Sequence, residues 1–145
     1  MTDPTPLEVY RRMQAAVLRD EDPTLLPAEL LADDVIVETP FSPLGMRRHE
    51  GREAWLEFYA NRPLPIRFEE FQAIATHATT DPEVLVVEYE LRGTVTTTGA
   101  PASAAFIAVL RVRDGKIRQW REYQDISSIT QALSMTPEAL GTASH

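Results

Sequence analysis

Cysteine is missing from the 145 residues. Its absence removes disulfides, thiolate catalysis, cysteine-ligated zinc and iron–sulfur clusters together. Lysine occurs only at Lys116 and asparagine only at Asn61. Arginine therefore carries nearly all the positive charge, a skew that fits a GC-rich coding bias and is not read as function. Acidic residues outnumber basic ones 22 to 14, for a net charge of −8. A chain this acidic has no basic face for a phosphate backbone or an anionic lipid surface, so neither nucleic acid nor membrane is an expected partner. No apolar run reaches the roughly 18 residues that would span a bilayer. Residues 1–6 lack the basic and apolar stretches of a signal peptide, so the expected location is cytoplasmic. There is no glycine-rich phosphate loop and no Gly-x-Ser-x-Gly elbow, so no cofactor is implied. The three histidines are dispersed along the chain and share no ligand spacing, so no metal site is expected.

The residues present are those of a globular chain, 43% hydrophobic and 25% charged. The length fits one domain with a core over about 7–133 and a short tail over 134–145. Thr5-Pro6-Leu7-Glu8 is a capping box with proline at the first helical position, and Leu7, Tyr10, Met13 and Val17 follow at helical spacing. A second short helix is predicted over 25–31. A β-branched strand follows over 35–39, a loop over 40–50, and a third helix over 51–61. Then come long strands over 66–79, 83–97 (with Leu85, Val87, Tyr89 and Leu91 on one face), 102–113 and 116–125, the last two joined at Asp114-Gly115, a strong hairpin signal. A short helix over 128–133 ends the pattern, and Thr136-Pro137 offers one further turn. Helices first and a meander of strands after them define an α+β domain. Strands this long must bend to bury one face, which points to a strongly curved antiparallel sheet with three helices over its concave side.

Five segments in this order resemble the SnoaL-like branch of the nuclear transport factor 2 superfamily. They are Leu31-Ala32-Asp33-Asp34-Val35, Glu38-Thr39-Pro40, Gly51-Arg52-Glu53-Ala54, Arg113-Asp114-Gly115-Lys116-Ile117 and Arg121-Glu122-Tyr123-Gln124-Asp125. The resemblance covers about residues 7–133 and implies a cone-shaped α+β fold with a deep pocket, and a homodimer. It does not imply one chemistry, because the superfamily holds isomerases, cyclases, dehydratases, epoxide hydrolases and inactive members. The run Glu57-Phe58-Tyr59-Ala60-Asn61 is similar to bacterial ketosteroid isomerase. Matched to that enzyme, the base position holds Thr39, the buried tyrosine of the first helix falls near Met13 with Tyr10 one turn away, and the protonated acid falls at Ile107 or Ala108. Only Tyr59, a supporting tyrosine, is kept, so steroid isomerase chemistry is not expected. The last hairpin resembles the SnoaL polyketide cyclase and the phenazine biosynthesis A/B group. Both place their acid/base carboxylate at Glu122, and a histidine of the cyclase falls at Ala108.

Strand parity gives an independent view of Glu122. Trp120, Glu122 and Gln124 share one face of the last strand, and Ile117, Gln119, Arg121, Tyr123 and Asp125 share the other. If the first set faces a pocket, the carboxyl lies beside an indole and its pKa rises by desolvation. Otherwise Glu122 pairs with Arg111 or Arg121 on the sheet surface. Phe106, Tyr59, Tyr10, Met13, Thr39 and Ala108 are the further pocket candidates. His49 is expected in a solvated loop at the pocket rim, and Asp125 at the strand end as a hydrogen-bonding residue. Two readings stay open. One is a cofactor-independent acid/base enzyme, of cyclase, isomerase or dehydratase type, in which Glu122 moves a proton on a small apolar carbonyl-bearing metabolite. The other is a non-catalytic module of the same fold that binds a small molecule or only dimerises.

Overall fold

A computed structural model describes residues 3–19, 26–42, 47–61 and 65–134. Helix α1 spans Pro6–Leu18, and its start is the capping box. The Glu8 amide donates to the Thr5 hydroxyl at 3.2 Å, and the Thr5 amide donates to the Glu8 carboxylate at 3.4 Å. Together these satisfy two of the amides that a helix start leaves open. The chain then runs through a 3-10 turn at Ala28–Leu30, β1 (Leu31–Glu38), β2 (Arg48–Glu50) and α2 (Arg52–Asn61). Four long strands follow: β3 (Ile66–Ala78), β4 (Val84–Val95), β5 (Pro101–Arg113) and β6 (Lys116–Gln124). Helix α3 spans Ile126–Ser134.

The strands form one open sheet in the order β2-β1-β6-β5-β4-β3. Every neighbouring pair is antiparallel except β1 and β6, which run parallel. The sheet is therefore mixed, not wholly antiparallel as expected. The reason is that β1 is not part of the meander: its partner arrives only with the last strand. Register breaks in β3 and between Arg111 and Val112 are bulges, which bend a sheet and let long strands wrap one core.

Alternation fixes the two faces. In β4, Leu85, Val87, Tyr89 and Leu91 are buried, and the residues between them are less so. Val9, Tyr10, Met13 and Val17 of α1 and Trp55 and Tyr59 of α2 complete the core with them. The β5–β6 hairpin turns on Asp114 and Gly115, both at positive φ (54° and 73°), as a two-residue primed turn demands.

Two elements differ from expectation. The helix predicted over 25–31 survives, within the described residues, only as the 3-10 turn, because Leu31 already belongs to β1. That strand starts four residues earlier than Val35 and includes Asp33 and Asp34, whose exposed side chains face away from the core. The loop predicted over 40–50 contains β2, which pairs with β1 through Val37 and His49. The possible turn at Thr136-Pro137 and the tail lie outside the described residues.

Candidate functional site

The site is built on three neighbouring strands. Val87, Ala108 and Glu122 are cross-strand partners in one row, and Tyr89, Phe106 and Gln124 form the next. All six side chains point to the helix-covered face. Ala108 carries only a methyl group in the middle of its row, which leaves room for the long Tyr89 side chain to reach diagonally across β5. The Tyr89 hydroxyl donates to Glu122 Oε2. Trp120 Nε1 donates to the same oxygen at 3.3 Å, and Gln124 Nε2 donates to Oε1 at 3.0 Å.

Glu122 is only 2% exposed. Burial pushes its pKa up, and the bonds from Tyr89, Gln124 and Trp120 pull it part of the way back. Among the described residues no arginine pairs with it. Arg111 holds Asp81 at 3.0 Å and Glu83 at 2.9 Å instead, so the surface ion pair offered as the alternative for Glu122 is not formed. The tyrosines around the carboxylate stay protonated. Burial, and then the Glu122 charge, raises both Tyr89 and Tyr59, and burial alone takes Tyr10 to about 12. The Tyr10 hydroxyl is buried without a hydrogen-bond partner among the described residues.

An apolar pocket opens between α3 and the inner face of β3, β4 and β5. Its cavity volume is about 80 Å³. Leu91, Ala104 and Phe106 form its sheet side, Ser128, Ile129 and Ala132 its helix side, and Tyr59 and Gln124 also line it. Among the described residues no charged side chain lines it. Glu122 stands behind this wall and is linked to it through the Gln124 amide.

Of the residues singled out in the sequence, Tyr59, Phe106 and Gln124 line this pocket, and Glu122 and Trp120 stand behind it. Ala108, Tyr10, Met13 and Thr39 are buried but are not part of its lining. His49 corrects the expectation of a solvated rim. It is 2% exposed, packed against Phe58 (4.5 Å between rings) and Trp55 (5.2 Å), and burial lowers its pKa. Asp125 is the cap of α3: its carboxylate accepts from the Ser128 amide at 3.2 Å and the Ser128 hydroxyl at 2.7 Å, and these bonds lower its pKa. Ile117 lies on the core side with Trp120, not opposite it. The bulge at Arg118 inserts one extra residue and reverses the parity. Tyr89 and the α3 side of the pocket were missed. The parity of β4 put Tyr89 on the core face, but only the register of three strands brings it to Glu122.

A bent sheet with helices over one face, an apolar pocket there and a buried carboxyl beside it are the features of the nuclear transport factor 2-like fold. The chain belongs to the SnoaL-like domain family, whose model matches residues 10–120. It is 31% identical over 99 residues to an uncharacterized PhzA/B-like protein of Pseudomonas aeruginosa, covering 66% of this chain and 67% of that one. It is 28% identical over 127 residues to the uncharacterized protein YesE of Bacillus subtilis strain 168, covering 87% and 85%. Among solved structures, a candidate isomerase from Bacillus subtilis superposes with a TM-score of 0.78 at 26% identity, covering 88% of this chain and 91% of that one. Among the described residues no helix is long and apolar enough to cross a membrane.

Proposed function

We propose that this protein is a cofactor-independent acid/base enzyme, of cyclase, isomerase or dehydratase type, acting on a small apolar molecule that bears a carbonyl group. The observation that carries this reading is Glu122, a carboxyl with a raised pKa that is hydrogen-bonded to a wall residue of an apolar pocket. Desolvation brings such a carboxyl toward the operating pH, where proton transfer is most effective. Oε2 accepts from Tyr89 and Trp120, and Oε1 accepts from Gln124, a residue of the pocket wall. Oε1 is therefore the working oxygen. It takes a proton from the carbon next to the carbonyl, the electron pair moves into the enolate, and the same proton is returned at another atom. Tyr59, in the pocket wall, donates to the oxygen on which charge develops.

A second reading, a non-catalytic binding module, draws on one fact: the carboxylate is 2% exposed and all its observed bonds are internal. Carboxyl-labelled NMR separates the two, with Glu122→Gln as the assignment control. The acid/base reading expects a Glu122 midpoint well above the ordinary value of about 4.3, and an ordinary or lower midpoint sinks it. Once a substrate is in hand, Glu122→Gln lowers turnover on the order of 100-fold in an enzyme and leaves ligand affinity intact in a binder.

The protein is further proposed to be a cytoplasmic homodimer. Ile107 and Tyr123 are neighbours on the outer face of the sheet, Phe41 packs edge-on against Tyr123 with 5.5 Å between ring centroids, and Phe41 and Ile107 are exposed. This outer patch is the surface offered to a second copy.

A further inference from the structure

The two oxygens of Glu122 are held by different kinds of donor. Oε2 accepts from the Tyr89 hydroxyl and from the Trp120 indole. Among the described residues Oε1 accepts only from the Gln124 amide, at 3.0 Å. An indole nitrogen donates and never accepts. A proton on Oε2 would have to reverse the Tyr89 bond, leaving the Tyr89 hydrogen without another acceptor among the described residues and the indole still aimed at that oxygen. The Tyr89 ring has no freedom to withdraw, because it is stacked between Phe71 at 4.8 Å and Phe106 at 5.2 Å. The acid proton therefore sits on Oε1. The amide facing it has what the indole lacks, a carbonyl oxygen that can accept.

While Glu122 is ionised it can only accept, so the amide must point its nitrogen at Glu122 and its carbonyl away. When Oε1 carries a proton, the amide must turn over. Gln124 is half-buried and lines the pocket, so the end turned away from Glu122 is the end a ligand meets. We infer that Gln124 is a specificity-determining residue whose amide is turned by the proton on Glu122 Oε1: with Glu122 ionised the pocket selects a hydroxyl donor, and with Glu122 protonated it selects a carbonyl acceptor. This rests on the acid/base site proposed above and adds the rule by which that site chooses its ligand.

Nothing else nearby titrates with Glu122. The groups facing it are Tyr89 on β4 and Tyr59 on α2, with Tyr10 on α1 beside Tyr89, and all are held above the ordinary phenol range. On β5 it meets Ala108. Asp125, next to Gln124 in sequence, is engaged with Ser128 at the start of α3.

The test needs no knowledge of the natural ligand. The side-chain amide signals of Gln124 are followed by nitrogen–proton NMR across pH, beside the carboxyl signal of Glu122. The expected result is one shared midpoint, with the amide response abolished in Glu122→Gln. Amide signals that stay constant through the Glu122 midpoint overturn the inference, as does a Glu122 that never protonates while the protein is folded. In a second arm the probes are 2-naphthol, a donor, and 2-acetylnaphthalene, an acceptor. Their affinity ratio should change by roughly 3- to 10-fold across the midpoint, the worth of one hydrogen bond, and should be constant in Gln124→Leu. A constant ratio in the wild type, or no binding of either probe, overturns the ligand rule. A Glu122 midpoint at the ordinary value counts against the acid/base reading alone, and an unresponsive Gln124 beside a raised midpoint counts against this inference alone.

Discussion

Removing one oxygen atom, in Tyr89→Phe, tests the energetics of the buried carboxyl directly. The phenol ring is stacked on Phe71 and Phe106 and is fully buried, so phenylalanine keeps the packing and loses only the bond to Glu122 Oε2. A bond to an ionised partner is worth about 1.5–3 kcal/mol, and one to a neutral partner about 0.5–1.5 kcal/mol. The variant should therefore lose about 1 kcal/mol more stability where Glu122 is ionised than where it is protonated. By linkage this corresponds to a further rise of roughly one unit in the Glu122 pKa. The sign follows from the wild type. Glu122 already titrates above its unfolded value, so its contribution to stability is full below that value and is lost as pH rises through the folded one. In the variant this loss extends to higher pH. Urea unfolding at several pH values, read against the carboxyl NMR titration, measures both sides of the linkage. A cost that is the same at all pH values, or an unmoved Glu122 midpoint, refutes the reasoning.

Two further outcomes test the frame of the pocket. At Gly93 an added Cβ would lie 2.2 Å from the Arg67 carbonyl oxygen. Gly93→Ala must therefore push β3 away from β4, and a cost of about 1–3 kcal/mol in urea unfolding is expected, with faster hydrogen exchange along β3. Asp125→Ala removes the cap of α3, so the amides of residues 126–134 should exchange several-fold faster while those of β5 and β6 stay protected. Because the cap lowers the Asp125 pKa, the wild type should lose the same protection as acid protonates that carboxyl.

The residue-level pattern carried the strands and the first helix well. The Thr5 box, the β4 alternation and the Asp114-Gly115 turn are local signals, and each is found where local physics puts it. What failed was parity across a break. Ile117 was assigned to the wrong face because a bulge costs one residue of register and leaves no composition signature. His49 read as loop because three residues of β2 are too few to show alternation. At the site, Glu122, Trp120 and Gln124 were grouped correctly by period on a single strand. Tyr89 could not be added, because its bond to Glu122 crosses two strand pairings and depends on the small side chain at Ala108 between them.

The parallel pairing of β1 with β6 also sets a schedule for folding. The Glu38–Gln119 side-chain bond, which ties the two strands, closes a separation of 81 residues. During synthesis β1 is therefore made early and waits without its long partner until the final hairpin emerges. Closing so long a loop is entropically costly and slow. Meanwhile Val35 and Val37, wholly buried in the finished molecule, belong to a strand whose long edge stays open to any other strand it meets. β6 carries Glu122 and also ends the exposure of β1, so the nascent chain gains its site and its protection from misassembly in one event.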